Sequence, residues 1–330
     1  MGRTQVLSSF EQLDYDMTPT PAQLLEIHNN GFRGVCASRS TFYYVRTRLP
    51  RFYTLFKGSQ AQGAGRVSAP YKAALALDSQ FGTYEAQTTG DCVSHSTRNA
   101  GTIDYSVDAL FGETSFEGRL ATENIYGHRG HSGQGADCAR LAYYVSQEGP
   151  GGFLPRKNYE DGRNSIDLSV YNSRTGHNWG RGGTPKWLSD IATQNKALRV
   201  FSIKSIEEAR DTIAMGFGIS MCSSYGFAST RNEDGVAKHK GTWHHAMAWI
   251  GVDDTDWAHQ NYGGPLFLVQ NSWGQWNSGG KRHDQPDGSF WIEPRVAKAM
   301  IQGGGGWGIA SVRGYNRELV YDMAGKVASL

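Results

Sequence analysis

Three residues far apart in the chain carry the side chains that nucleophilic acyl transfer needs: Cys92, His245 and Asn271. Cys92 sits in Gln87-Thr88-Thr89-Gly90-Asp91-Cys92-Val93. A helix starting near Asp91 would put the thiol in the positive field of its N-terminus, which favours the thiolate. A neighbouring imidazolium would favour it further, and such an ion pair is nucleophilic at neutral pH. His245 opens an apolar alternation in His245-Ala246-Met247-Ala248-Trp249-Ile250. On a strand, His245 and His244 point to opposite faces, so one of them serves a site. Asn271 lies in Gln270-Asn271-Ser272-Trp273-Gly274. Its amide oxygen can accept the far ring N–H of a histidine, setting tautomer and orientation without a full charge. Trp273 could cover that bond and exclude water. Taken singly, each residue also has a plain reading: a structural cysteine, a core histidine, a turn asparagine.

These side chains need elements to hold them. Residues 92–110 read as a weakly amphipathic helix opening at the cysteine. Residues 137–148 read as a second helix, with Asp137 near its start and Gly149-Pro150-Gly151-Gly152 stopping it. Residues 205–215 read as a third, with Glu207 and Glu208 at its positive end. Short apolar runs follow at 218–222, 245–250, 266–269 and 289–292, separated by turns rich in Gly, Asp and Asn. Helices first and an antiparallel sheet after them point to an α+β architecture with a cleft between the layers.

Composition excludes several functions. Lys plus Arg number 33 against 31 Asp plus Glu, a formal net charge of +2. That is a poor basis for a nucleic-acid surface, which needs concentrated positive charge. No run of apolar residues is long enough to span a bilayer. The four cysteines include no CxxC pair and are too sparse for a disulfide-stapled scaffold. Asp253, Asp254 and Asp256 lack the spacing of a calcium loop. The expectations are therefore no nucleic acid, no membrane and no metal or organic cofactor, in a reducing compartment such as the cytoplasm.

The order Gln87, Cys92, His245, Asn271 resembles the papain-like cysteine peptidases. Asn271-Ser272-Trp273-Gly274 is the most specific part of the match, and Gly308-Ile309-Ala310-Ser311 resembles the family's closing segment. The likeness spans roughly residues 75–315. It implies a two-lobed fold, with a helical left lobe bearing Cys92 and a sheet-rich right lobe bearing His245 and Asn271. It implies hydrolysis of peptide or protein substrates across the interlobe cleft through a thioester, with Gln87 in the oxyanion hole. Gly133, Gly135, Cys222 and Trp273 are the implied substrate-binding residues.

The chain departs from the family in places. Gln87 stands five positions before Cys92 rather than six. Thr89 occupies the position of a usual cysteine, so the family's neighbouring disulfide is absent. Insertions carry Asp253 to Trp257 and Lys281 to Asp284, with solvated loops the favoured reading. His95, three residues after Cys92, is a rival base discounted because a helix neighbour seldom aims at the thiol.

Residues 1–70 read as an N-terminal extension, either an inhibitory propeptide of a zymogen or a docking arm for a protein partner. A linker-like stretch at 59–69 joins it to the catalytic domain 71–330, with lobes at about 71–200 and 201–330. Two rival functions remain. One is a structural or binding module in a larger assembly such as a virus particle. The other is a different thiol-dependent acyl transferase.

Overall fold

The structure, a computed structural model, describes residues 49–312. In chain order these form α1 (Phe52–Leu55), β1 (Val67–Ser68), α2 (Tyr71–Leu77), α3 (Cys92–Leu110), α4 (Glu123–Tyr126) and α5 (Cys138–Val145). Next come β2 (Asn158–Glu160), β3 (Ser165–Asp167), α6 (Ser173–Trp179), α7 (Lys186–Ala192), β4 (Ala197–Ser202) and α8 (Ile206–Ala214). The long strands β5 (Gly218–Arg231) and β6 (Ala237–Asp253) precede α9 (Asp256–Tyr262), β7 (Leu266–Gln270) and β8 (Ser278–Gly279). The described chain closes with β9 (Ser289–Ile292), α10 (Pro294–Gln302) and β10 (Gly306–Val312).

The large sheet runs β4-β10-β5-β6-β7-β9, with neighbours antiparallel. This is the α+β arrangement expected: helices concentrated before residue 200, sheet after it. The helices predicted at 92–110, 137–148 and 205–215 are α3, α5 and α8. The apolar runs are β5, β6, β7 and β9, although β5 and β6 extend well beyond the apolar part.

Helix α3 is the pivot. Nearly all of it is buried, including polar residues such as Ser94, Thr97, Asn99 and Asp104. A helix wrapped on all sides has no wet face, which is why its sequence looks only weakly amphipathic. It lies against the sheet where side chains vanish. A Cβ on Gly218 would fall 2.6 Å from the Ala100 carbonyl oxygen. That contact is backbone on backbone, so Gly218 fixes how near β5 comes to the helix bearing Cys92.

The stretch 59–66 is tied to the sheet lobe rather than free. Asp211 on α8 accepts from the backbone N–H of Ala61 (2.9 Å) and Gly63 (3.1 Å), and Asp254 accepts from Gly65 (3.1 Å). Phe52 and Phe56 join the sheet core with Phe201 and Phe217. The small residues there permit close packing; a Cβ on Gly63 would meet Arg210 Cγ at 2.8 Å. Residues 1–48 of the extension read at 1–70 lie outside the described residues.

The two insertions brace each other. Buried Asp253 accepts from Arg282 Nε and pairs with His283 Nε2, each at 2.9 Å. These partners hold its carboxyl well below the usual range despite burial. The reading of these segments as solvated loops is corrected for this pair: Arg282 and His283 fold back onto the buried carboxylate at the end of β6.

Candidate active site

Cys92 is the first residue of α3 and is fully buried. The backbone N–H of Ala246 reaches its thiol across the interface, so strand β6 delivers the residue beside His245 to the cysteine. His245 is also fully buried, and its Nε2 lies 2.8 Å from Asn271 Oδ1. Asn271 follows β7, where its Oδ1 also accepts from the Ser272 N–H at 2.7 Å. That second bond fixes the amide so that its oxygen faces the imidazole. Trp273 covers the histidine, with ring centroids 4.8 Å apart and planes tilted by 32°.

Gln87 reaches the same place from the helical side. Its backbone N–H donates to the Ser272 carbonyl at 2.8 Å, and its Oε1 accepts from the Ser272 hydroxyl. Its Nε2 donates to the Thr89 carbonyl at 3.0 Å. An amide nitrogen carries two hydrogens, so this bond uses one of them. The strand-like contact of Ala86 with Trp273 holds this segment against the Asn-Ser-Trp-Gly turn.

Both groups lie in a dry environment, which acts against charge on either of them. Burial pushes the Cys92 thiol up to about 12, against the pull of nearby backbone N–H groups, with the Asp91 carboxylate adding to the rise. Burial pushes His245 down to about 4, opposed by its bond to Asn271. In the closed site the desolvation of two charges outweighs the helix N-terminus. Burial thus opposes the charged form of each group.

Cys222 is not a simple apolar strand residue. It is disulfide-bonded to Cys138, with Cα atoms 6.4 Å apart. The sparse cysteines gave no expectation of a disulfide, and the structure corrects that. Cys138 begins α5 and Cys222 lies on β5, residues 84 apart in sequence that the cleft brings face to face. Both line an open cavity of about 250 Å³ with Asp137, Tyr225, His244 and Met300. His244 therefore lines the cavity, while the next residue on β6, His245, is turned to Asn271.

Gly133 and Gly135 flank a residue that sequence reasoning passed over. Gln134 Oε1 accepts from the Thr89 hydroxyl and the Gly90 N–H, both at 2.7 Å, and from the Tyr126 hydroxyl at 3.2 Å. It ties the glycine-rich loop to the segment before Cys92, next to the position where Thr89 replaces a cysteine. The Gly133 carbonyl accepts from Arg129 Nε at 2.8 Å, and Gly135 has φ 81°, a left-handed conformation that suits glycine. His95 is occupied elsewhere. Its Nε2 lies 3.4 Å from Asp91 Oδ2 and its Nδ1 3.0 Å from Arg98.

No protein-family profile matches the chain, and no curated protein sequence matches it. Solved structures are similar to it in fold. A procathepsin L2 proteinase from the larval midgut of Tenebrio molitor superposes with a TM-score of 0.51 at 14% identity, covering 86% of this chain and 79% of that one. The proform of the ragweed pollen cysteine protease Amb a 11 gives 0.49 at 11% identity, covering 88% and 76%. Xylellain, a cysteine protease from Xylella fastidiosa, gives 0.48 at 15% identity, covering 75% and 86%. With its helices and mostly antiparallel sheet, this chain has the papain-like fold.

Proposed function

We propose that the protein is a cysteine peptidase that hydrolyses peptide bonds through Cys92, His245 and Asn271. The observation that carries this reading is the 2.8 Å bond between His245 Nε2 and Asn271 Oδ1, made on the strand whose next residue, Ala246, offers its N–H to the Cys92 thiol. A structural histidine has no need of an oriented ring beside a cysteine at the head of a helix.

In this mechanism Asn271 accepts the Nε2 proton of His245, so Nδ1 is the nitrogen that takes the proton of Cys92. The thiolate attacks the substrate carbonyl, forming a C–S bond and a tetrahedral oxyanion. The Cys92 backbone N–H and the second amide hydrogen of Gln87 stabilise that charge. Collapse breaks the C–N bond, and His245 passes its proton to the leaving amine. Water, deprotonated by His245, then attacks the thioester and releases the acid and the thiol. A substrate side chain fits the cavity walled by Cys222, Tyr225 and Met300.

The test is hydrolysis of a mixed peptide library by the wild type and by Cys92→Ala. The expected result is a loss of more than about 10³-fold with an unchanged thermal melt. Equal cleavage by the variant would sink the assignment.

A further inference from the structure

The Cys138–Cys222 bridge crosses between the helical side and the sheet at the wall of a cavity. Cys138 is the first residue of α5, and Cys222 lies on β5. Both line the cavity, and each keeps 7% of its surface exposed. A bridge sealed in a core is out of reach of a reductant; one in the wall of an open cavity is not. Cys222 also stands opposite Ala246 in the sheet, the residue whose N–H reaches the Cys92 thiol. The bridge is therefore one strand away from the contact with the proposed nucleophile.

The two walls are held differently. Strand β5 runs between β10 and β6. The Cys222 N–H donates to the Gly305 carbonyl at 3.0 Å, Met221 registers with Gly306, and Cys222 registers with Ala246. Backbone bonds on both sides thus anchor β5 within the sheet. Helix α5 is eight residues long and follows the glycine-rich loop, where Gly130 and Gly135 hold left-handed conformations with φ 80° and 81°. Its cap, Asp137 accepting from the Arg140 N–H at 2.8 Å, lies within the helix end and moves with it. The covalent tie to Cys222 is what pins the first turn of α5 to the sheet.

Building on the peptidase reading, we propose that Cys138 and Cys222 are a specificity-determining pair. Bridged, they hold the cavity tight and select a compact substrate side chain such as valine; reduced, they admit a bulky one such as phenylalanine. Two thiols cannot approach as closely as two bonded sulfurs, so reduction moves the α5 wall away from anchored β5. The reductant is a small dithiol. One of its thiolates attacks a bridge sulfur, forming a mixed disulfide and releasing the other cysteine as a thiol. Its second thiol attacks the mixed disulfide, closing a cyclic disulfide and freeing the second cysteine. Two electrons and two protons pass from the dithiol to the bridge.

The test is a peptide library with valine and phenylalanine scanned through each position, cleaved anaerobically before and after treatment with dithiothreitol. Intact mass reads the state of the bridge. In the wild type, reduction should raise the phenylalanine-to-valine ratio of kcat/KM at one position by about tenfold. Cys138→Ser/Cys222→Ser should show the raised ratio with and without the dithiol. An unchanged ratio in fully reduced wild type overturns the proposal, as does a double variant that responds to the dithiol as the wild type does. A second measurement serves if the double variant does not fold. In Cys92→Ala, a saturating peptide from the cleaved set should slow reduction of the bridge by about fivefold or more, because its side chain covers the sulfurs. Absence of that protection also overturns the proposal. Cleavage that survives Cys92→Ala would instead refute the peptidase reading, and protection in that variant still decides the role of the bridge.

Discussion

At the residue scale, the candidate chemistry rests on buried groups held by hydrogen bonds. Asn271 matters because it is buried with both its oxygen contacts satisfied, to His245 and to Ser272. Asn271→Ala should lower kcat by about 10²-fold with little change in KM, since it removes ring orientation rather than substrate contact. Steady-state kinetics on a single cleaved peptide checks this; a change confined to KM would contradict it. Gln134→Ala should cost about ten- to a hundredfold in kcat/KM, because three donors lose their acceptor beside the nucleophile loop. The pairing of His245 with Asn271 was legible because each sits in a short motif, above all Asn271-Ser272-Trp273-Gly274. The tie of Gln134 to Thr89 and Gly90 was not, since it joins segments 45 and 44 residues apart and leaves no local pattern.

At the element scale, the site depends on how α3 meets the sheet and on what joins the two sides of the cleft. Gly218→Ala would drive a methyl into the backbone of Ala100, where no flexible side chain can yield. A loss of about 2–3 kcal/mol is expected by urea denaturation, with activity falling as α3 is pushed from β6. The Cys138–Cys222 bridge closes a separation of 84 residues and links α5 to β5. Replacing both cysteines by serine should cost about 4 kcal/mol, the size expected for a loop of this length. Denaturant midpoints with and without a dithiol check this, and an unchanged midpoint in the double variant would contradict it. Helix α3 was readable at its start, through the cysteine motif, more than along its length. Periodicity reports a boundary between wet and dry faces, and this helix has almost none. The bridge was unreadable because spacing alone does not pair cysteines across a cleft.

For the whole molecule, the burial of His245 and Cys92 makes stability depend on pH from both sides. His245 sits at about 4 against an ordinary 6.5, so between those values the unfolded chain binds the extra proton. Stability is therefore full above about 6.5 and declines as pH falls toward 4, by on the order of 3 kcal/mol from this group. Cys92 sits at about 12 against 9.0, so the folded state holds its proton longer. Its contribution is full below 9 and is lost as pH rises toward 12. Chemical denaturation should show a plateau between these limits. His245→Gln should flatten part of the acid side, while His128, also pushed down to about 4 by burial, keeps the remainder. Fold class was legible from the order of helical and strand patterns. The packing of 49–66 onto α8 and the mutual brace of the insertions were not, since both depend on buried carboxylates, Asp211 and Asp253, gathering distant donors. The central claim is that Cys92 forms a covalent acyl intermediate on the way to peptide hydrolysis. Rapid acid quench of the wild type with a peptide ester, followed by intact mass and peptide mapping, tests it most directly. An acyl adduct on Cys92 that decays as product appears, and is missing in Cys92→Ala, is the predicted result; product released at full rate by Cys92→Ala would contradict the account.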